Sequence, residues 1–530
     1  MVGADRRTII GRLPYIGLDI ESLRGDVVRV EYSPNRPDLG TDFGIARALK
    51  GLLGLEVGMP AYAAPPSGFS LTVDRRLSRV RPHIACAVAK GLSLEEEDVR
   101  QIISLQEDLH NGLGRKRKRV AIGLHDLAKV RPPLAYAGVG PSFSFIPLGS
   151  SKERSIREII SGTPEGRAYG SMVPGDLFPV ITDSAKTVLS FPPVINGNTT
   201  RVTSGTKGIF VDVTGTDSKA VDDALAIMAT TLAEAGASLG AVSIRQGRRS
   251  RMTPDLRPVE IPIDVRLIRS LLGLSLDRGK IVKALARSRL SARGSTAIGA
   301  RYRIDLLHPV DVAEEVALGY GMDRIEPVYP ASSVAGKLNP FEEFLDSAAT
   351  VLAGSGMIEM MTFELVDEGS LYSNFGRSHA GMLKVQDPKS IDHSVLRDAL
   401  IPTLLSSLSS NARSEYPQRV FEIGRVFARS AEGVTESWHL GCLVAHSQSS
   451  FSEAKMYLEA ACRTLSGKDL STEPAEHWAF SEGRCASASD GGHALGFVGE
   501  LRPEAISACG LGVPVSGFEI DLSRLYERLK

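Results

Sequence analysis

Four acidic side chains lie close together in one short stretch of the chain, at Asp305, Asp311, Glu314 and Glu315. Their carboxylate oxygens are the hard donors that a divalent cation such as Mg²⁺ prefers in proteins. Similar spacing also occurs at ordinary helix starts, where an aspartate caps the helix and a glutamate three residues later completes a capping box. The residues alone leave two interpretations open, a metal site and a capping box beside one exposed aspartate.

A strand end and the helix after it must position these acids. From Arg301 to Leu306 apolar and polar residues alternate, which predicts a strand with Arg303 and Asp305 on its polar face. Val312 to Tyr320 is predicted to be a helix that has Asp311 as its N-cap residue. The acids are therefore expected where the strand gives way to the helix.

The surrounding sequence, Asp-Leu-Leu-His-Pro-Val-Asp with a later Gly-Tyr-Gly, resembles the metal-associated domain of archaeal phenylalanyl-tRNA synthetase beta subunits. That resemblance implies that Asp305, Asp311, Glu314 and Glu315 are magnesium ligands, in a site shared with the family's alpha subunit. The chain departs from the family at one point, since the family commonly has Glu-Asp where this chain has two glutamates. The longer side chain of Glu315 can still reach a metal ion.

Two segments in the middle of the chain carry polar side chains suited to hydrolysis. The segment from Thr187 to Asn196 is predicted to end a strand in a turn stiffened by prolines, which exposes Ser190 and Asn196. The second segment runs from Ile209 to Thr216 and is predicted to be a strand.

Alternation along the second segment places Phe210, Asp212 and Thr214 on one face. An aromatic ring, a carboxylate and a hydroxyl side by side can bind a polar substrate group and orient water. The alternative is that Asp212 and Thr214 only hydrogen-bond the turn at Gly215.

Both segments are similar to the editing domain of the same family, whose matching residues line a pocket that hydrolyses tRNA mischarged with tyrosine. Such a site is needed because a pocket for the phenylalanine ring rejects an added hydroxyl by only about a hundredfold. The resemblance implies that Pro192 and Pro193 shape the pocket wall. The editing residues that it implies are Ser190, Asn196, Asp212 and Thr214.

A proline-rich motif near the start of the chain, Ser-Pro-Asn-Arg-Pro-Asp-Leu at residues 33–39, precedes a predicted helix from Thr41 to Leu53. Thr41 or Asp42 is expected to cap that helix. The motif and the following Gly-Ile-Ala-Arg-Ala-Leu resemble a hallmark of phenylalanyl-tRNA synthetase beta subunits, which commonly continue PDLLS where this chain has PDLGT.

The densest basic run is Arg-Lys-Arg-Lys-Arg at residues 115–119, directly before a predicted strand from Val120 to Leu124. It is interpreted as a solvated turn, with a contact to tRNA phosphates as the alternative.

Composition excludes several classes of protein. Lys+Arg and Asp+Glu both total 62 among 530 residues, so bulk charge does not hold this chain on nucleic acid. No run approaches the ~20 apolar residues of a membrane helix, and the N-terminus has no signal-peptide pattern. The five cysteines are scattered without a C-x-x-C pair, which suggests a reducing cytoplasm and offers no zinc site.

Pro/Gly-rich joints divide the chain into several domains, and the pattern of predicted helices and strands indicates an α+β fold. We expect an N-terminal domain at 1–70 that ends in a linker at 58–68, an editing domain at 75–252, a small metal-associated, helix-turn-helix-like domain at 255–332, and a last domain at 338–530. The last domain resembles the family's class II synthetase-like core that lacks its own aminoacylation site. Neither a G-x-G-x-x-R string nor a P-loop supplies an ATP site there.

The resemblance covers almost the whole chain, from Glu31 to about Leu522. It implies a cytoplasmic beta subunit of an α2β2 phenylalanine-tRNA ligase that binds tRNA and Mg²⁺, while the alpha partner carries ATP and the adenylate chemistry. Two rival hypotheses remain. One is a noncatalytic tRNA-binding or scaffolding paralogue, and the other is a free-standing editing hydrolase.

Overall fold

Two units make up the chain in the computed structural model, Met1–Tyr329 and Pro330–Lys530, and each mixes helices with sheets. The structure describes residues 1–25, 27–331 and 334–530. No helix within these ranges has the length and apolar character needed to cross a membrane.

The N-terminal segment of the first unit is a β-hairpin with two helices. Helix α2 begins where the sequence predicts, because the Thr41 hydroxyl caps it by accepting the Gly44 N–H at 3.3 Å. Its apolar face packs Leu49 and Leu52 on Leu39, so the proline-rich motif lies against the helix that follows it. The elements are α1 Arg6–Arg12, β1 Leu18–Arg24, β2 Val27–Tyr32 and α2 Asp42–Leu52.

A ten-stranded mixed sheet forms the centre of the first unit, with strand order β11-β10-β9-β6-β3-β13-β4-β12-β5 and β14 paired to β13. The chain enters the sheet at Pro66, two residues before the predicted end of the linker. The elements are β3 Pro66–Val73, β4 His83–Lys90, α3 Glu96–Asn111, β5 Val120–Asp126, β6 Leu134–Val139, β7 Ser144–Phe145, β8 Arg154–Ser155, α4 Ile156–Gly162, α5 Pro164–Tyr169, β9 Phe178–Thr182, β10 Val188–Phe191, β11 Ile195–Asn196, β12 Gly208–Gly215, α6 Ser218–Glu234, β13 Ser238–Gln246 and β14 Arg249–Thr253.

Strand β12 is buried along its whole length between β4 and β5. Val211 and Val213 face α6, while Phe210 faces the opposite side of the sheet, so the predicted alternation is confirmed. Helix α6 packs on β4 and β12 and also contacts α2 and α3, which explains why it is buried nearly all round.

The last part of the first unit joins a three-stranded sheet to three helices. One of these helices has clear local signals at both ends, because Asp264 accepts two backbone N–H groups at its start and Gly273 ends it at φ 66°. The elements are β15 Val259–Pro262, α7 Val265–Leu272, α8 Arg278–Arg287, β16 Ser291–Arg293, β17 Thr296–Gly299 and α9 Pro309–Tyr320.

Two predictions around the acidic cluster were wrong. The segment 301–306 is a pair of turns and no strand, with the Arg303 N–H donating to the Ala300 carbonyl at 2.9 Å. The alternation of apolar and polar residues gave a wrong prediction because Arg303, which it placed on a polar face, is as buried as Tyr302. Helix α9 begins at Pro309, three residues earlier than predicted, so His308 is its N-cap and Asp311 lies in its first turn.

The second unit is built on a seven-stranded sheet, order β18-β22-β23-β27-β26-β25-β24, with a small sheet β19-β21-β20 beside it. Helices α10, α13 and α15 belong to the apolar core that includes Phe421, and α12 belongs to another core that includes Val420. The two longest strands of this sheet, β22 and β23, pair with each other as an antiparallel hairpin. The elements are α10 Pro340–Gly354, β18 Ile358–Glu359, β19 Leu365–Val366, α11 Glu368–Leu371, β20 Leu383–Lys384, β21 Val395–Leu396, α12 Ile401–Ser410, β22 Gln418–Ser430, β23 Gly433–Ala445, α13 Phe451–Ser466, β24 Ser471–Pro474, β25 Phe480–Asp490, β26 His493–Leu501, α14 Pro503–Ala508, β27 Val515–Asp521 and α15 Leu522–Leu529.

The docking of the proline-rich motif on α2 can be tested at Gly44, where a Cβ would lie 1.7 Å from the Asp38 carbonyl oxygen. We expect Gly44→Ala to lower the free energy of unfolding by about 2–3 kcal/mol, as overpacking does. Gly11 lies in α1, and a Cβ at that position would meet nothing within 4 Å, so Gly11→Ala is the matched control and should be neutral or slightly stabilising. Urea unfolding of the full chain measures both. Equal stability of the two variants would contradict the close packing.

Candidate functional site

A cavity of about 630 Å³ lies in the first unit, between α3 and the strands β5, β10, β11 and β12. Its volume is within the range of small-ligand sites. Of the residues predicted from the sequence, the cavity wall includes Ser190, Pro192, Pro193, Asn196 and Asp212.

Asp212 is held in the wall by a buried hydrogen-bond chain. Its Oδ2 lies 2.7 Å from His125 Nε2, and His125 Nδ1 lies 2.8 Å from the Thr200 hydroxyl. All three side chains are 1% exposed or less. When the Thr200 hydroxyl donates to Nδ1, the Nε2–H donates to Asp212, so the imidazole holds the carboxylate in place.

A glycine leaves room for this pair. Gly123 on β5 stands directly opposite Asp212 on β12. A Cβ on Gly123 would lie 2.2 Å from Asp212 Oδ2 and 2.7 Å from His125 Nε2, so any side chain would displace them.

Ser190 and Asn196 face each other across the β10–β11 pair. Ser190 is only 2% exposed, so it was wrongly predicted to be exposed, although it faces the cavity. Its Oγ lies 3.5 Å from Asp212 Oδ2, at the outer limit of a hydrogen bond. Asn196 is half-buried.

Thr214 lies outside the residues that line the cavity. Its hydroxyl accepts a hydrogen bond from Arg81 Nε at 2.8 Å, and its carbonyl accepts one from the same guanidinium at 2.7 Å. Burial lowers the pKa of Arg81 to about 10, against the opposing pull of Tyr136 and Asp212. The guanidinium therefore stays charged at neutral pH, beside the carboxylate of Asp212.

One arginine of the basic run turns into the cavity wall. The run is a turn, as predicted, and Arg117 reaches from it to Glu107 at 2.9 Å and to the Val194 carbonyl at 3.2 Å. Its guanidinium also lies 4.5 Å from the ring centre of Tyr169. Arg119 pairs with Asp217 at 2.9 Å. The exposed members of the run are Arg115, Lys116 and Lys118.

His110 ties α3 to β5 at the back of the cavity. Its Nε2 accepts the Ile122 N–H at 2.8 Å, and its Nδ1 lies 3.1 Å from Glu107 Oε1. Burial lowers the pKa of His110, although Glu107 opposes this effect.

Sequence reasoning missed His125, Thr200, Gly123 and Arg81. The predicted strand stopped at Leu124, whereas β5 continues to Asp126. Extending the alternation by one residue would have placed Gly123 and His125 on one face of this strand. For Thr200 and Arg81 no local signal exists, because both reach the site across long sequence separations.

The four acids of the second candidate site lie near the start of α9, and an arginine binds two of them. Arg303 binds Asp305 through Nε at 2.9 Å and through a terminal nitrogen at 2.6 Å, and it binds Glu315 at 2.5 Å. The Asp311 carboxylate accepts the N–H groups of Leu307 and His308 at 2.6 Å each.

Glu314 is exposed, and among the described residues no arginine or lysine pairs with its carboxylate. Protein atoms near its carboxyl group still desolvate it in part and raise its pKa, and the charges of Glu315, Asp305 and Asp311 add to the effect. Within residues 1–25, 27–331 and 334–530, no three His, Cys, Asp or Glu side chains are grouped so as to hold a metal ion. The donor chemistry suits Mg²⁺, but in this arrangement the acids do not fit the ion, and the magnesium site stays a prediction.

Arg303 belongs to a larger buried charge network. Asp38 of the proline-rich motif pairs with Arg36 at 2.9 Å and with Arg47 at 2.8 Å, while Arg36 lies 3.9 Å from Glu315. Burial opposes ionisation of Asp38, but the two arginines outweigh it and hold the pKa of Asp38 well below its usual range.

Comparison with known proteins identifies matching families for two parts of the chain. Residues 261–322 match the tRNA synthetase B5 domain, and residues 325–522 match the phenylalanyl tRNA synthetase beta chain CLM domain. The phenylalanine–tRNA ligase beta subunit of Archaeoglobus fulgidus is 40% identical, over 99% of this chain and 97% of that protein. Its counterpart from Thermococcus kodakarensis is 37% identical, over 93% and 90%.

A solved structure is also similar. The crystal structure of an N-terminal fragment of the phenylalanyl-tRNA synthetase beta subunit from Pyrococcus horikoshii is 34% identical and matches with a TM-score of 0.57. The match covers 59% of this chain and 96% of that fragment.

The pKa of His110 gives the site a testable pH dependence. Because burial lowers this pKa in the folded chain, the unfolded chain takes up a proton first as pH falls below about 6.5. Stability is therefore present above that pH and lost below it, by up to about 1.4 kcal/mol per pH unit. We expect His110→Gln, which retains an acceptor for Ile122, to weaken this slope. Urea unfolding at pH 7.5 and 5.5 compares the two chains, and equal slopes would exclude His110 as the source.

Proposed function

The chain belongs to the archaeal type of phenylalanine–tRNA ligase beta subunits, and from this premise we propose that it performs two tasks in the cytoplasm. With an alpha subunit, in an α2β2 assembly, it supports the ATP-dependent attachment of phenylalanine to tRNA. In its own cavity it hydrolyses tyrosine that has been attached to that tRNA by mistake. Membership of the family already implies an alpha-subunit partner and tRNA binding.

The observation that carries the hydrolytic proposal is the buried chain from Thr200 through His125 to Asp212 at the cavity wall. A buried carboxylate is costly unless it is hydrogen-bonded, so this arrangement keeps a fixed acceptor facing a space of ligand size. Such an acceptor can bind the amino acid or orient a water molecule.

In the proposed reaction, the water oxygen adds to the carbonyl carbon of the aminoacyl ester. The bond from that carbon to the ribose oxygen then breaks, the ribose oxygen takes a proton, and free tyrosine and tRNA are released. We assign Asp212 a binding or orienting role and Ser190 and Asn196 contacts to the substrate, because all three line the cavity. The hydroxyl of the substrate's own ribose can help to activate the water. Thr214 acts indirectly, by fixing Arg81 beside Asp212.

We assign the second unit a scaffold role, as a class II synthetase-like core without its own aminoacylation site. Its match to the CLM domain supports this assignment, since residues 330–530 carry no G-x-G-x-x-R string and the sequence has no P-loop. A free-standing hydrolase would not need this unit. A noncatalytic paralogue would not need a fixed acceptor in the cavity.

Co-expression tests the ligase role. We expect phenylalanylation of tRNA only when this chain is combined with the phenylalanyl alpha subunit from the same source, and none from either chain alone. Gel filtration should show the two chains in one assembly. If they neither associate nor charge tRNA together, the ligase proposal fails and the scaffolding paralogue is favoured.

Hydrolysis of tyrosyl-tRNA by that assembly tests the cavity. We expect Asp212→Asn to slow hydrolysis by roughly ten- to a hundredfold, as loss of a charged hydrogen-bond acceptor worth about 1.5–3 kcal/mol does. Replacing His125 with Phe should slow it similarly, whereas His125→Gln, which keeps a donor near the Nε2 position, should restore part of the rate.

Asp126→Asn is the matched control, because Asp126 lies on the same strand as His125 but does not line the cavity. Its variant should hydrolyse tyrosyl-tRNA at the wild-type rate. All variants should still charge phenylalanine. Unchanged hydrolysis by Asp212→Asn would remove Asp212 from the proposed mechanism.

A further inference from the structure

The acidic cluster at the start of α9 already contains a buried cation. Arg303 is 2% exposed, and its guanidinium contacts Asp305 and Glu315 at 2.5–2.9 Å. A guanidinium fork bound to two carboxylates is among the strongest charge-assisted arrangements in proteins. This cation is part of the fold, since the turns at 301–306 direct it inward.

Glu315 and Asp311 have further partners in the fold. Glu315 is 4% exposed and faces a second guanidinium, that of Arg36, at 3.9 Å. Asp311 accepts two backbone N–H groups of the turn that begins α9. Of the four acids, only Glu314 has no arginine or backbone N–H on its carboxylate within the part of the chain that the structure describes, and one monodentate glutamate is a weak site for a divalent ion.

A divalent ion and the guanidinium compete for the same oxygens. Mg²⁺ needs near-octahedral oxygen ligands at about 2.0–2.1 Å. Arg303 already binds both carboxylate oxygens of Asp305 and the Oε1 of Glu315. Two cations a few ångströms apart in a buried site also repel each other strongly. Occupation by a metal therefore requires Arg303 to leave its two partners.

We propose that Arg303 is the resident cation of this cluster in the chain itself, and that Arg303 and a divalent metal exclude each other there. The acids then need the arginine for charge balance when no metal is present. This inference does not depend on the hydrolytic activity of the cavity.

Departure of Arg303 would not be a local event. Arg36, which shares Glu315 with it, also pairs with Asp38, and Asp38 pairs with Arg47 of α2. The Arg47 guanidinium lies 3.8 Å from the ring centre of Tyr302, the neighbour of Arg303. Exchange of the arginine for a metal would therefore disturb the contact between the N-terminal segment and α9.

Titration of the full chain with Mn²⁺, followed by electron paramagnetic resonance, tests the proposal directly. Mn²⁺ takes the same hard oxygen ligands as Mg²⁺. For the wild-type chain we expect no Mn²⁺ at this cluster tighter than about 1 mM, which is the weak end of divalent-metal sites. Excess Mg²⁺ should leave the melting temperature of the chain unchanged. A tighter Mn²⁺ site that Glu314→Gln abolishes would overturn the proposal.

Removal of the guanidinium should convert the cluster into a metal site. We expect Arg303→Met to bind Mn²⁺ at least tenfold more tightly than the wild type, and Glu314→Gln in that background to reverse the gain. In EDTA the variant should melt at least ~5 °C lower, because a buried charge pair is broken, and Mg²⁺ should restore part of the loss.

Two further variants separate charge from packing. Arg303→Lys keeps a cation at the cluster, so it should gain no Mn²⁺ affinity. Arg293→Met removes an exposed arginine from the neighbouring strand β16, where it pairs with Glu260, and should change neither metal affinity nor the response to Mg²⁺. A folded Arg303→Met chain without any gain in Mn²⁺ affinity would contradict the proposal.

Discussion

The first unit depends on one buried carboxylate, that of Asp38. Arg36 and Arg47 bind it from two sides, and both guanidiniums reach onward, Arg36 to Glu315 and Arg47 to the ring of Tyr302. Removing one partner of such a buried pair leaves an uncompensated charge, which typically costs about 3–5 kcal/mol. A segment that is local in sequence, the proline-rich motif, therefore fixes the relation between α2 and the distant helix α9.

The cavity depends on the same principle of partnered burial, applied to a single face of one strand. β12 lies between two neighbours, so any polar side chain on it must find partners inside the sheet. Asp212 finds His125, and Thr214 finds Arg81. These two residues differ in their position along the strand, because Asp212 lines the cavity and Thr214 does not.

Much of this could be predicted from the sequence where the signal is local. The caps at Thr41 and Asp264, the alternation in β12 and the turn at the basic run follow from neighbouring residues. Failures occurred where a distant partner decides the outcome. Alternation at 301–306 predicted a strand, yet Arg303 is buried because it pairs with Glu315 of α9.

The site residues also divide into those with a local sequence signal and those that depend on a distant partner. Ser190, Asn196 and Asp212 were identified by family resemblance and line the cavity, but the partners that hold Asp212 come from β5 and from Thr200. No spacing rule connects those residues, since they meet only when β5 pairs with β12. The pairing of Arg303 with the acidic cluster could not be predicted either, because the spacing of acids along a chain does not show which cation they bind.

The inward orientation of Arg117 reduces the number of cations in the basic run that can contact RNA phosphates. Glu107 and Asp217 neutralise Arg117 and Arg119, so three of the five cations face solvent. Each phosphate neutralised releases about 0.7–0.9 of a condensed counterion. A contact through this loop therefore displaces at most about 2–3 ions rather than the ~4 that five free cations would displace. The affinity of this loop for RNA should therefore depend less on salt concentration than the affinity of a loop with five free cations would.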